Sequence, residues 1–309
     1  MSRATRVLVT GAAGQVGVDL QDTLRGVTPL GGDVSFQPDG KPVGEHEFEV
    51  LGLNRRDLDV TDRDAVLRSL HAARPDVVVH LGAYTAVDRA EEDVENCFIV
   101  NEQGTAFMSL GASEIGAHLI TISTDYVFDG TKGAAYLEFD EPRPLSVYGA
   151  SKREGERHCT PEDTIVRTSW VVGVRGNNVV HVIAERAASG ANVRFVNDQM
   201  GTVTAASDLA RSLVSLVRAR PGGVWHVANS GATTWFDVAA HVGDLLNRGE
   251  EFATPISTSE LSPPPLATRP ARSDLDTNKF TSSFGELPPW RDAVARLVFD
   301  RPRRGDVPS

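Results

Sequence analysis

The chain opens on an almost continuous apolar run, Arg6-Val7-Leu8-Val9-Thr10, which stops at a glycine cluster, Gly11-Ala12-Ala13-Gly14-Gln15-Val16-Gly17. Apolar residues at helical spacing follow through Val18-Asp19-Leu20-Gln21-Asp22-Thr23-Leu24, so the pattern predicts strand, glycine loop and helix. The cycle then repeats. Phe48-Glu49-Val50-Leu51-Gly52-Leu53 and Asp76-Val77-Val78-Val79-His80-Leu81 read as strands, with a helix from Asp62 to Leu70 between them. A helical segment from Asn101 to Ile115 leads into a fourth strand, His118-Leu119-Ile120-Thr121-Ile122-Ser123. Strands that are apolar nearly throughout and alternate with helices predict a parallel sheet covered on both faces.

Beyond about residue 170 the pattern loosens. Helices are expected over Asn178 to Ala188 and Ala205 to Arg218, and strands over Val193 to Val196 and Val224 to Ala228. Pro288-Pro289-Trp290 opens a last helix. The fold class is therefore α/β: a Rossmann-type doubly wound parallel sheet with a smaller mixed α/β C-terminal lobe. Residues 1–170 are read as the sheet domain and 171–309 as the lobe, with part of 200–230 returning to the sheet domain. The stretch Thr28 to His46, dense in Gly, Pro and Asp, reads as an inserted loop or hairpin.

Composition narrows the function classes. The chain has 309 residues, 31 basic and 42 acidic, for a net charge of -11, and such a field repels nucleic-acid backbones and anionic lipid surfaces. No apolar run approaches a membrane span, and no cleavable leader is visible. Cys97 and Cys159 lie far apart, with no second thiol or His at metal-ligand spacing, so neither a disulfide framework nor a metal site is expected. Free thiols suit the reducing cytoplasm.

Gly11, Gly14 and Gly17 give a sharp strand-to-helix turn the freedom it needs, and allow close approach of a pyrophosphate to the N-terminus of the following helix. The loop is therefore a candidate dinucleotide site; on the alternative reading the glycines serve only a tight turn. The second strand ends Leu53-Asn54-Arg55-Arg56, where a carboxylate for the ribose hydroxyls would otherwise stand. Neutral Asn54 with Arg55 beside it suits a 2′-phosphate, so NADPH is favoured and NADH stays open. On the alternative reading Arg55 and Arg56 are solvated charges paired with Asp57 or Asp59. Asp59-Val60 is positioned to contact the adenine.

In Tyr148-Gly149-Ala150-Ser151-Lys152 the phenol and the ammonium share one face of a helix. A neighbouring ammonium lowers the phenol's pKa toward the working range, so Tyr148 can deliver a proton to a developing alkoxide while Lys152 supplies the field. Thr124, where the fourth strand ends, stands where catalytic groups of open α/β sheets gather and can bond the substrate oxygen or the phenol.

Together the glycine loop, Thr124, Tyr148 and Lys152 resemble an extended short-chain dehydrogenase/reductase. Further segments are similar to the dTDP-4-dehydrorhamnose reductase family: His80-Leu81-Gly82-Ala83-Tyr84-Thr85-Ala86-Val87-Asp88, Ser123 to Gly130, Arg167-Thr168-Ser169-Trp170, Asn197-Asp198-Gln199-Met200-Gly201 and Ala267-Thr268-Arg269-Pro270. The resemblance implies cofactor contacts at Gly14, Gln15, Val16, Asp59, Val60, Ala83, Tyr84, Thr85, Tyr148 and Lys152. It implies sugar-nucleotide contacts at Thr124, Asp125, Tyr148 and Trp170, and a dTDP-sugar as the small-molecule partner. It also admits a homodimer. Trp170 is expected to wall the sugar or base, or else to be a domain-interface core residue; Arg269 is expected to meet the donor's pyrophosphate, or else to form a surface ion pair. His80 reads as a core histidine.

The chain departs from the family pattern at Asn54, at Thr202-Val203-Thr204 and in the long Thr28 to His46 stretch. The implied reaction is reduction of the C4 ketone of a dTDP-4-dehydro-6-deoxyhexose. A dehydratase of the same superfamily would carry an Asp-Glu pair after the Thr, where this chain has Asp125-Tyr126. A non-catalytic subunit resembling the methionine adenosyltransferase β subunit remains a rival that the Tyr148 and Lys152 pair weighs against.

Overall fold

The computed structural model describes residues 3–33 and 35–300. In chain order it runs β1 (Thr5–Thr10), α1 (Gln15–Leu24), β2 (Phe48–Leu53), α2 (Arg63–Ala73), β3 (Val77–His80), the short α3 (Val87–Ala90) and α4 (Val94–Phe98), then α5 (Gly104–Ile115) and β4 (His118–Thr124). Next come α6 (Val147–Arg157), β5 (Thr164–Thr168), β6 (Val171–Val172), α7 (Val179–Ala188), β7 (Val193–Val196), β8 (Met200–Gly201), β9 (Thr204–Ala205), α8 (Ala206–Ala219) and β10 (Gly223–His226). The chain closes with β11 (Thr233–Thr234), α9 (Trp235–Leu245), β12 (Ala253–Ile256), α10 (Asn278–Phe284) and α11 (Trp290–Phe299).

Six parallel strands form one sheet in the order β10-β5-β4-β3-β1-β2. Alternation along the strands divides their side chains between two cores. Val7, Val9, Val77, Val79, Ile120 and Val166 face one side with Leu20, Leu209, Leu213 and Leu216 of α1 and α8. Leu8, Val78 and Leu119 face the other with Leu70, Met108 and Ala112 of α2 and α5. Both faces are dry, which is why the strand sequences are nearly all apolar. Strand order reverses between β1 and β3, so the crevice beyond their carboxyl ends is where a ligand of such a sheet sits.

A separate core lies among α7, α9 and α11, where Val180, Ile183, Val238, Val242, Phe252, Trp290, Val294 and Leu297 pack. Three two-stranded pairs, β6-β9, β7-β12 and β8-β11, surround it. The chain returns to the first core between the two visits to this lobe: α8 packs on α1, and β10 pairs with β5. Arg296 of α11 joins the two regions through a bidentate pair to Asp208 of α8, whose side chain is fully buried.

The strand and helix predictions before residue 170 hold to within a few residues, and α9, β5 and β12 were not foreseen. Between Thr28 and His46 the described residues form turns and no strand, so the stretch is a loop rather than a hairpin. Arg218 of α8 holds it, donating to Asp39 and Glu47 and to the carbonyls of Lys41 and Pro42, while Phe36 inserts into the sheet core. No helix among the described residues is long and apolar enough to cross a membrane.

Candidate active site

A cleft of about 920 Å³ runs over the carboxyl ends of β1, β3 and β4. One end is the glycine loop. Gly11 has a positive φ of 64°, and a Cβ there would stand 2.8 Å from the backbone of Leu81; a Cβ on Gly17 would stand 2.3 Å from the Gly11 carbonyl oxygen. Side chains are excluded because the loops after β1 and β3 and the start of α1 converge. Gln21 braces the loop, its Nε2 donating to the carbonyls of Ala12 and Gly17. The N-cap of α1 is Gly14, which offers no side-chain acceptor, and the first turn holds no acidic residue. The N–H groups of that turn therefore point into the cleft toward an anion.

Beside the loop, Asn54, Arg55, Asp59 and Val60 line the cleft at the end of β2. Asp57 caps the Asn54 backbone N–H and Asp59 binds Thr61, so neither carboxylate pairs with an arginine. The exposed Arg55 guanidinium forms no hydrogen bond or salt bridge among the described residues, though its charge acts on the nearby Asp59 carboxylate, and it faces the cleft where a phosphate could meet it. Hydrogen bonds from Thr61 hold the Asp59 carboxyl below its ordinary range.

Ala83, Tyr84 and Thr85 line the facing wall. They are set by a residue the sequence reading missed. Asn101 sits in a π-helical turn, Ile99–Gln103, just before α5. Its Oδ1 accepts from Tyr84 N at 2.8 Å, and its Nδ2 donates to Tyr84 O at 3.1 Å and to Ser151 Oγ at 2.9 Å. One amide thus joins the cleft wall at Tyr84 to the helix that carries Tyr148 and Lys152, a use typical of such bulges.

At the other end stand Thr124, Asp125, Tyr126, Tyr148 and Lys152. Ser146 caps α6, whose first two turns carry Tyr148 and Lys152 on one face. Tyr148 hydrogen-bonds Thr124 and meets the Tyr126 ring edge-on, with centroids 6.1 Å apart. Burial is the largest influence on the phenol and pushes its pKa well above the ordinary range; Thr124 acts against this, while the Asp125 carboxylate adds to it. The predicted lowering by Lys152 is therefore not what this environment produces. Lys152 is only 5% exposed, and burial pushes it down to about 8. Asp125 is boxed by Ser273, Ser169 and Thr124, and burial raises it to about 6.

One turn beyond Lys152, Glu156 is buried against β4 and β5. Arg167 donates to it through Nε at 2.8 Å and Nη2 at 2.7 Å, and Ser123 Oγ donates at 2.6 Å. This pair pins α6 beside Thr124. Its signal in the sequence was the spacing Tyr148, Lys152, Glu156, one helical face. His80 hydrogen-bonds Thr10 through Nδ1 at 2.7 Å and is pushed down to about 3 by burial, a neutral core histidine at the crevice.

Trp170 lines the cleft and is also core: its ring stacks on Trp235 with centroids 4.3 Å apart. It has a positive φ of 42°, and a Cβ on Gly201 would meet its ring at 2.6 Å. A tryptophan held in left-handed backbone conformation costs about 1–3 kcal/mol, which the packing against Gly201 and Trp235 offsets. Of the two readings of Arg269, the structure shows the ion pair and not a place in the cleft. Arg269 is absent from the cleft lining, and both its Nη atoms bind Asp88, at 3.0 and 2.6 Å. It also hydrogen-bonds Tyr126, so it acts on the cleft through that ring.

The cleft's shape suits a dinucleotide at the glycine loop and a second ligand at Tyr148. A family model described as the RmlD substrate binding domain matches residues 40–301. A protein from Sinorhizobium fredii named dTDP-4-dehydrorhamnose reductase is 36% identical over 308 residues, covering 95% of this chain and 97% of its own. A Streptomyces antibioticus protein named as a probable dTDP-4,6-dihydroxy-2-methyloxan-3-one 4-ketoreductase is 34% identical, covering 96% and 95%. Among solved structures, a Bacillus anthracis dTDP-4-dehydrorhamnose reductase in complex with NADP superposes with a TM-score of 0.83 at 30% identity, covering 95% of this chain and 98% of that one. With the family model spanning most of its length and relatives matched nearly end to end, this chain belongs to the RmlD substrate binding domain family, alongside the dTDP-4-dehydrorhamnose reductases.

Proposed function

We propose that this chain reduces the C4 ketone of dTDP-4-dehydrorhamnose to the alcohol with NADPH. The observation that carries the reading is one cleft joining a glycine loop with an open helix N-terminus to Thr124, Tyr148 and Lys152. The residues fit the cofactor: glycines leave a cradle that any Cβ would fill, and Arg55 faces the cleft where a 2′-phosphate would lie. Gly14, Gln15, Val16 and Gly17 would hold its pyrophosphate, Asn54, Arg55, Asp59 and Val60 its adenosine end, and Ala83, Tyr84 and Thr85 the facing side. When bound, the nicotinamide supplies the hydride.

The chain's own groups supply the proton. The Tyr148 phenol is protonated at neutral pH, as an unperturbed tyrosine also is, and burial raises its pKa further, so it holds the proton for the oxygen that gains charge during reduction. Thr124, whose one O–H is donated to Asp125 Oδ1, would turn it to the substrate oxygen or the phenol when the sugar binds, and Lys152 places a positive charge beside them in a site of low dielectric. Trp170 supplies a flat apolar wall for the sugar nucleotide. Two free cysteines suit a reducing compartment, and we place the enzyme in the cytoplasm.

The test is NADPH oxidation with dTDP-4-dehydrorhamnose, alongside its Tyr148→Phe variant. The expected result is turnover by the wild type and a loss of kcat of about 10³-fold in the variant. Wild-type turnover by the variant overturns the role of Tyr148, and no turnover by the wild type overturns the activity. The Streptomyces relative favours a second reading, reduction of another dTDP-4-ketosugar, so the assay includes C3 and C5 epimers of the substrate.

A further inference from the structure

Both ligands of the proposed reaction are anions, and the lining of the cleft holds three cations, Arg55, Lys152 and Arg175. The first two have places in the reading above. Arg175 was not singled out by its sequence, and it stands where Arg269 does not. It lies in the segment between β6 and α7, which rests on the glycine loop: a Cβ on Gly173 would stand 2.9 Å from Gln15 Oε1, and one on Gly176 would stand 3.4 Å from Gln15 Cγ. The guanidinium is therefore carried to the second turn of α1, one turn in from its open N-terminus.

There it is held by two carboxylates of α1. Nη1 donates to Asp19 Oδ1 at 2.7 Å and Nη2 to Asp22 Oδ2 at 3.3 Å, with the side chain still 37% exposed to the cleft. Gln15 Oε1, between this segment and the loop, is buried without a partner. The guanidinium fork fits a phosphate oxygen pair as well as it fits carboxylates, and a diphosphate offers more charge than either Asp alone. Release leaves no stranded anion, since burial already raises Asp19 to about 6 with Arg175 against it, and the carboxyl then takes up a proton.

We propose that Arg175 is a diphosphate-binding residue that Asp19 and Asp22 hold in reserve until a nucleotide enters the cleft. The inference rests on the reading that this cleft binds a dinucleotide and a sugar nucleotide. Either ligand carries the diphosphate, and the proximity of Arg175 to α1 favours the dinucleotide.

The experiment measures binding rather than turnover, by titrating the purified protein with NADPH followed by its fluorescence and with dTDP followed by calorimetry. Arg175→Ala is expected to weaken one of the two by about tenfold or more and to leave the other within twofold. Arg175→Lys regains part of the loss. Asp22→Asn, which weakens the holding pair, is expected to tighten the same ligand by about threefold. Weakened dTDP binding with unchanged NADPH binding assigns the diphosphate to the sugar nucleotide. If wild type binds NADPH while Arg175→Ala binds both ligands unchanged, Arg175 is a tether of its loop and this inference falls alone. A wild type that binds neither ligand overturns the proposed function as well.

Discussion

Between β1 and α1 the cleft is lined by glycines and backbone N–H groups, whereas around α6 it is lined by ionisable side chains that the fold has stripped of water. At the first end Arg55 and Asp59 lie at the surface and interact weakly with their surroundings. At the second, Asp125 and Lys152 of the lining and the Glu156–Arg167 pair behind it are all at least nine-tenths buried, and burial is the leading influence on Asp125, Tyr148 and Lys152. Binding by preset backbone geometry costs the fold little. Keeping charges in a dry site costs stability, and that cost is what readies the groups for chemistry. Substitutions at the two ends should therefore register in different observables.

The largest effect is expected at Arg167. Its change to Met leaves Glu156 buried beside Ser123 with Arg153 and the Lys152 charge opposing it, and should cost about 3–5 kcal/mol in denaturant unfolding. The double variant Arg167→Met with Glu156→Leu should recover most of that loss. A single variant as stable as wild type would break the comparison.

Lys152→Met should move stability the other way while abolishing turnover. The folded pKa of Lys152, about 8, lies below its ordinary 10.5, so between those values the unfolded chain binds the extra proton and stability rises with pH. At pH 7 the full penalty is present, and removing the ammonium should stabilise the fold by on the order of 2–3 kcal/mol. Thermal melts check both parts: the variant's Tm exceeds that of wild type at pH 7, and the gap narrows toward pH 10. A variant that melts lower at pH 7 would show that Lys152 supports the fold.

The smallest effect belongs to the open end. Arg55→Ala should raise KM for NADPH by about tenfold, leave KM for NADH nearly unchanged and not alter Tm. Equal loss with both cofactors would remove Arg55 from 2′-phosphate recognition and leave it as a solvated charge.

What was legible in the sequence divides along the same line. The glycine loop could be read because its requirement is local: a strand end, a turn without Cβ atoms and a helix start are consecutive in the chain. The Tyr148 and Lys152 pair was also local, one helical face. Asn101, Arg167 with Glu156, and Trp235 beneath Trp170 were not, since each acts across 11 to 65 positions of sequence through a contact that only packing creates. Arg269 shows the same limit from the other side. A basic residue next to a proline suited a phosphate, but Asp88, far earlier in the chain, lies within 2.6 Å of it.

By itself the sequence determined the doubly wound α/β class, the glycine loop and the pairing of Tyr148 with Lys152 on one helical face, because each follows from short-range periodicity. Tertiary structure decided which cations face the cleft and which are already paired. It also decided that burial raises the Tyr148 pKa, and that the long loop after α1 docks on α8. Those outcomes depend on what surrounds a group and how much water is left beside it, and neither is written in its sequence neighbours.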